Sequence, residues 1–325
     1  MRLRGPARTN PGATLRQLFR EGPLPLVGVW GATAHHAQLA EDVGFKFFGL
    51  SGSDLSTQIL GLPDAGLLTM TELVEATRQI CNAVSLPVVV DCDTGFGNAI
   101  SVQRTVGEVI RAGAACLFIE DQVAPKRCGF VKGKMLISVE EAAGKIRAAC
   151  AVRDEIDPEF MIMARTDARG AVGGSMEEVL VRGKAYLDAG ADILYASALQ
   201  SREDVRRLRE AFPDALLELM PLAIDPPLST KEVEDFRICT CGVHIARVGA
   251  ILMHDFLLQY REQGEDAFNA FSAKHRNHRL GKLGLLDLTG FPKILELEQK
   301  FLPAETMARY DQSIGIYDPR PPKTD

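Results

Sequence analysis

Residues 86–98 read LPVVVDCDTGFGN, residues 111–122 read RAGAACLFIEDQ, and residues 123–130 read VAPKRCGF. The β-branched run Val88-Val89-Val90 predicts a strand buried on both faces, of the kind found in all-parallel sheets. It ends in Asp91-Cys92-Asp93. Strand alternation sends Asp91 and Asp93 to one side and Cys92 to the other, so two carboxylates are expected in one small volume. Like charges that close raise one another's pKa unless a cation sits between them, and hard oxygen ligands at this spacing suit Mg²⁺. A second strand at 116–119 delivers Glu120 and Asp121 at its own end, and Lys126-Arg127-Cys128-Gly129-Phe130 follows. A thiol flanked by two cations is expected to have a lowered pKa, and the glycine beside it lets the segment move.

Outward from this stretch, one unit recurs: a helix, a glycine stop, then an apolar strand. Strands are expected at 23–30, 45–51, 88–93, 116–119, 160–164, 193–197, 215–220 and 243–248. Capping boxes open helices at Thr69/Glu72 and Ser138/Glu141, and Asp64 lies in the turn-like GLPDAG. Eight strands with intervening helices predict an α/β fold of the (β/α)₈ barrel type. A doubly wound open sheet would need a glycine-rich phosphate turn after the first strand, and none is present. Residues 1–12 are expected to be a flexible tail, 13–262 the barrel, and 263–325 a helical arm and tail. The arm's apolar faces can pack under its own barrel or on a neighbouring subunit.

The 325 residues are 46% hydrophobic and 25% charged, ordinary for a globular chain with a large core. A net charge of -6 and a pI near 5.6 argue against a nucleic-acid partner and leave a small molecule. No apolar run reaches the length of a membrane span, so a soluble, cytoplasmic protein is expected. The seven cysteines are an odd number in apolar segments, which suits reduced core thiols. Cys239-Thr-Cys241 lacks the further ligands a zinc site needs.

Catalytic residues of such barrels come from strand C-termini and the loops after them. Ser51, Asp91, Asp93, Glu120, Lys126, Cys128 and Arg165 all lie there and are expected to converge on one mouth. Arg165 has a second possible role as the ion-pair partner of Asp167. His244 and Arg247 fall in the eighth expected strand, where a polar side chain is costly unless paired. Arg247 either lines the mouth as an anion contact or forms a salt bridge.

These residues carry a resemblance. LSGSDLSTQILGLPDAGLLT, VVVDCDTGFGN, FIEDQVAPKRCGF with the GK that follows, MARTDA and DLTGFPKILELEQKF, in this order, resemble the isocitrate lyase / phosphoenolpyruvate mutase superfamily, and within it the methylisocitrate lyase-type enzymes. The resemblance covers about residues 13 to 302. It implies a (β/α)₈ barrel, a homo-oligomer (dimer or tetramer) that exchanges a C-terminal helix between subunits, and Mg²⁺, with Mn²⁺ a possible substitute. The ion would be held mainly through Asp91, with Asp93 and Glu120 contributing largely through water. Ser51 and the amides of Gly52 and Ser53 would hold the carboxylate of a 2-oxo acid, with Asp64 and Gly129 beside it. Arg165 would neutralise the oxyanion, and Lys126 to Lys134 would form a mobile gating loop. Cys128 would protonate the fragment released by carbon–carbon cleavage. Three positions depart from the lyase pattern: Phe130 replaces a histidine, Ser197 a glutamate and Leu219 an asparagine, all of which normally meet the distal polar part of the substrate. The function expected is Mg²⁺-dependent cleavage of a small 2-hydroxy acid to a 2-oxo acid. An oxaloacetate-type decarboxylase or hydrolase, and a non-catalytic 2-oxo-acid binder, are the alternatives.

Overall fold

The computed structural model describes residues 9–220, 224–281 and 283–317. Its eight parallel strands are β1 (Leu26–Gly31), β2 (Phe48–Leu50), β3 (Val88–Asp91), β4 (Cys116–Glu120), β5 (Met161–Thr166), β6 (Ile193–Ala196), β7 (Leu216–Leu219) and β8 (Thr240–His244). They lie side by side in the order β7-β6-β5-β4-β3-β2-β1-β8. A bridge between Leu217 and Ile238, with the Cys239 amide donating to Leu217 O at 2.8 Å, joins the two ends of that row. The architecture is therefore the expected (β/α)₈ barrel.

Alternation along each strand sorts the core into two layers. Val88, Val90, Leu117, Ile119, Ile162, Leu194, Leu217 and Leu219 pack outward against the helices. Val89, Cys116, Phe118, Met161, Met163, Ile193 and Tyr195 fill the interior together with Trp30 and Phe47. Helix α1 (Pro11–Glu21) adds Leu15 and Phe19 to this inner cluster, and Arg16 donates to the carbonyls of Glu159 and Phe160 just before β5. One end of the barrel is thus plugged by apolar side chains, which leaves the other, where the strands end, for chemistry.

The helices are α2 (Ala34–Asp42), α3 (Gly52–Leu55), α4 (Met70–Ala83), α5 (Ala99–Ala112), α6 (Val139–Ile156), α7 (Met176–Asp188), α8 (Arg202–Ala211) and α9 (Thr230–Asp235). Both bonds of the Thr69/Glu72 capping box form at α4, and Ser138 caps α6 by accepting from the Glu141 amide at 3.1 Å. Gly113 closes α5 at φ 95°, a conformation glycine adopts at little cost.

Residues 52–60, before the GLPDAG turn, form α3 and one π-helical turn at Ser56–Leu60. The eighth strand is earlier than expected, at Thr240–His244, and α10 (Ile245–Gln263) follows at once, so Arg247 is an exposed residue in the first turn of a helix. The apolar run VHIARVGAIL fits either period, and strand length alone did not separate them.

The compact unit carrying the barrel ends at Ala246, and a second unit begins at Arg247. The latter holds the rest of α10, then α11 (Glu265–Lys274), α12 (Gly284–Thr289), α13 (Phe291–Phe301) and α14 (Ala304–Ala308). Inside it the ring of Phe271 meets those of Phe256 at 5.2 Å and His275 at 4.5 Å. Of the tail expected at 1–12, residues 1–8 lie outside the described residues, as does the Pro-rich end at 318–325, while Asn10 caps α1 and Pro11 and Gly12 begin it, so the helix starts earlier than expected. Among the described residues no helix is long and apolar enough to cross a membrane.

Candidate active site

Asp91 is the last residue of β3, and its carboxylate is fixed by two backbone donors. The Gly52 amide reaches Oδ2 and the Asp93 amide reaches Oδ1, each at 3.1 Å. Asp93 joins it, though not by strand alternation. The strand has already ended, and Asp93 turns into the left-handed region at φ 48°. Gly52 is wedged between the two: a Cβ there would lie 3.1 Å from Asp93 Oδ1 and 3.2 Å from Asp91 Oδ2.

Glu120 ends β4, is buried, and donates its amide to Asp93 O at 2.8 Å. Arg165 stands beside it in register on β5. The guanidinium is 3.0 Å from Glu120 Oε2 through Nη1 and 3.0 Å from Asp167 Oδ1 through Nη2, so the expected ion pair with Asp167 is formed. Its plane lies 5.2 Å from the ring centre of Tyr195 and 6.0 Å from that of Phe118. Two aromatic rings therefore fix where the charge sits.

Lys126 is buried, 2.8 Å from Asp93 Oδ1 and paired also with Asp64. Burial works to lower its pKa, but Glu120, Asp91, Asp93 and Asp64 together reverse this and hold it above the ordinary lysine range. The loop that follows is pinned by residues the sequence reading did not single out. Gln122 exchanges two 2.9 Å hydrogen bonds with the backbone of Arg127, and Lys134 donates to Gly129 O. The Cys128 amide donates to Asp64 O at 3.1 Å. Gly129 then passes over Arg165 so closely that a Cβ would lie 2.6 Å from Nη2 and 3.4 Å from Ser197 Oγ.

The electrostatics correct one expectation. Burial, with Asp64 adding to it, pushes the Cys128 thiol up, not down, and Lys126 opposes this only in part because its charge is shared among carboxylates. Cys128 is a protonated thiol at neutral pH. Burial and then Asp91 push Asp93 up to about 6, and burial drives Glu120 well above the carboxylate range. Glu120 Oε1 is sealed from solvent with no hydrogen-bond partner among the described residues, while Glu120 Oε2 and Asp93 Oδ1 meet the cations of Arg165 and Lys126. The buried carboxylates of Asp91, Asp93, Glu120 and Asp167 outnumber these two cations, an acidic excess that fits a divalent cation. Among the described residues no three such side chains converge as a direct ligand cage.

The remaining expected residues are placed as follows. Ser51 is buried and caps α3 through Oγ; Ser53 is half-buried in the same turn. Ser197 follows β6 beside Gly129. Phe130 projects into solvent, 58% exposed. Leu219 is not at the mouth, because it packs outward with Leu217 against the helices. The residue of β7 in register with Tyr195 is Glu218, which the sequence reading missed. It is buried, accepts a hydrogen bond from the Thr240 hydroxyl, and is pushed up to about 8 by burial.

Glu218 carries a stability prediction. Its folded pKa lies above the ordinary glutamate value, so its contribution is fully present below about pH 4.5 and is lost as pH rises to about 8. Between those limits wild type should lose about 1.4 kcal/mol per pH unit from this group, and Glu218→Gln should not. Urea unfolding of both proteins at pH 5, 6.5 and 8 measures it, and parallel pH profiles would exclude the effect.

The profile of the phosphoenolpyruvate phosphomutase family matches residues 15–260. The 2,3-dimethylmalate lyase of Eubacterium barkeri is 42% identical over 229 residues, 69% of this chain and 76% of that one. The 2-methylisocitrate lyase of Aeropyrum pernix is 43% identical over 229 residues, 70% of this chain and 71% of that one. Among solved structures, phosphonopyruvate hydrolase in complex with oxalate and Mg²⁺ superposes with a TM-score of 0.77 at 28% identity, covering 91% of this chain and 100% of that one. With its barrel, its strand-end carboxylates and these relatives, the chain belongs to the phosphoenolpyruvate phosphomutase family of the PEP mutase/isocitrate lyase superfamily.

Proposed function

We propose that this protein is a Mg²⁺-dependent carbon–carbon lyase that cleaves a small 2-hydroxy acid, of the alkylmalate or methylisocitrate kind, into a 2-oxo acid and a carboxylic acid. The observation that carries the reading is the buried acidic cluster of Asp91, Asp93 and Glu120, with Glu120 Oε1 unpartnered among the described residues, beside a loop that passes Gly129 over Arg165. Asp91 would hold the ion, with Asp93 and Glu120 reaching it through water; when bound, the ion polarises the 2-oxygen as a Lewis acid. Its presence in the phosphonopyruvate hydrolase complex supports this.

This chain's own residues do the rest. In the Ser51–Asp54 turn the Gly52 amide is committed to Asp91 and the Asp54 amide to Ser51 Oγ, which leaves the Ser53 amide and the hydroxyls to receive the substrate's carboxylate. A base in the site takes the proton of the 2-hydroxyl, the C2–C3 bond breaks and its electron pair moves to C3, and that proton later returns to the thiolate that Cys128 leaves behind. Arg165, already oriented by Glu120, Asp167 and Tyr195, stabilises the negative charge of the 2-oxo acid end. Cys128, a thiol at neutral pH, donates its proton to C3. Gly129 and the Gln122 clamp hold that thiol over the site and keep water from the carbanion. The protein is proposed to be cytoplasmic and to form a dimer or tetramer, and the exposed apolar residues Leu252, Met253 and Leu257 of α10 support the oligomer.

Ser197 sets the substrate preference, with Phe130 turned out to solvent. One short hydroxyl cannot satisfy an additional distal carboxylate, and each missing hydrogen bond costs about 1–3 kcal/mol. The kcat/KM for an alkyl-substituted malate should therefore exceed that for 2-methylisocitrate by at least about tenfold. A side-by-side assay with oxaloacetate included decides it. Equal or better cleavage of methylisocitrate would overturn the pocket reading, and faster turnover of oxaloacetate to oxalate and acetate would make the protein a hydrolase.

A further inference from the structure

β8 ends in His244, in register with Trp30 of β1. Trp30 lies in the barrel interior against Phe47 and Phe118, in the space that Gly49 leaves on β2, where a Cβ would come within 2.2 Å of the indole. The imidazole of His244 lies nearly parallel to that indole, with centroids 6.3 Å and planes 18° apart. This puts the ring on the inner side of the barrel, at the strand ends where Asp91, Glu120 and Arg165 also stand.

Its Nδ1 is 3.1 Å from Asp54 Oδ2. Asp54 belongs to the turn whose Ser51 and Gly52 form the proposed carboxylate site, so the histidine is tied to that site by a single carboxylate. The other nitrogen, Nε2, is sealed from solvent and has no hydrogen-bond partner.

An imidazole fixed through one nitrogen has only the other to offer a ligand. With Nδ1–H given to Asp54, that atom is Nε2. The neighbouring His36 uses its Nδ1 to accept from the Ala32 amide at 3.3 Å. A carboxylate binding at Nε2 together with one proton would place the His244 ring between two anions, each taking one N–H.

We propose that His244, through Nε2, binds the carboxylate of the fragment that departs from the 2-oxo acid, the anion contact that the sequence reading assigned to Arg247. The inference rests on the lyase reading for the identity of that fragment.

The test is calorimetric titration of the Mg²⁺-loaded protein with oxalate, which fills only the 2-oxo-acid end, and with malate, which carries a distal carboxylate as well. His244→Phe keeps a ring on Trp30 and removes both nitrogens. It should weaken malate at least tenfold and leave oxalate within twofold, while His244→Gln, which keeps one donor, should fall between. Should the Phe variant not fold, Gln alone decides, with a malate loss of threefold or more expected. Unchanged malate affinity, or equal losses for malate and oxalate, overturns the inference, the latter showing a purely structural role. A wild type that binds both but cleaves neither an alkyl-substituted malate nor 2-methylisocitrate would sink the lyase reading and leave the His244 assignment standing on its binding data.

Discussion

Cys128→Ser is expected to lower turnover of the best alkylmalate by about a thousandfold, within the range of about 10²–10⁴ that a positioned acid contributes. The side chain changes by one atom, and the amide bond from Cys128 N to Asp64 O and the clamp from Gln122 to Arg127 involve no sulfur. Loop geometry should survive, and with it oxalate affinity. What is lost is acidity, since an alcohol is a far weaker acid than a thiol. The direction of the thiol's shift adds a pH signature. Burial and Asp64 keep the proton on sulfur to higher pH than usual, so the wild-type rate should hold through neutral pH and fall only on the alkaline side as the thiolate forms. Rapid-quench turnover and oxalate titration measure the two halves. A serine variant within tenfold of wild type would remove Cys128 from the proton path.

Asp91→Ala should weaken Mg²⁺ at least a hundredfold and abolish activity with the barrel intact. Asp91 is the carboxylate best fixed by backbone donors, from Gly52 and Asp93, and it lies at the end of a strand whose packing is carried by Val88, Val89 and Val90. Proton competition gives the wild-type control. Asp93, pushed up to about 6 by burial and Asp91, takes a proton below that pH, so metal affinity should rise with pH through about 6 and then level off. Mn²⁺ titration followed by electron paramagnetic resonance, with circular dichroism as a fold check, is the measurement. Equal affinity in variant and wild type would refute the assignment.

Most of the barrel was legible because its signals are local: a buried Val run, glycine stops such as Gly113, and caps at Thr69 and Ser138. So were the acidic residues at strand ends. What sequence could not show is where a strand stops. Asp93 shares a site with Asp91 through a left-handed turn, and Leu219 faces the helices while its neighbour Glu218 faces the interior. A one-residue slip in register exchanges such neighbours between core and site. The thiol's environment was equally non-local. Lys126 stands beside Cys128 in the chain, but Asp93 and Asp64, distant in sequence, claim its charge. The residues that pin the loop, Gln122 and Lys134, stand in quoted stretches of sequence, but they act through backbone groups, a role that side-chain chemistry does not announce.

Trp30 is the only tryptophan in the chain, and it sits on the inner wall of the site with His244 stacked on its face. The chromophore that dominates ultraviolet emission thus stands beside the proposed carboxylate contact. What comes to lie against the imidazole acts on that one indole, with no second tryptophan to add to its signal. The molecule carries its own optical reporter, and it needs no label.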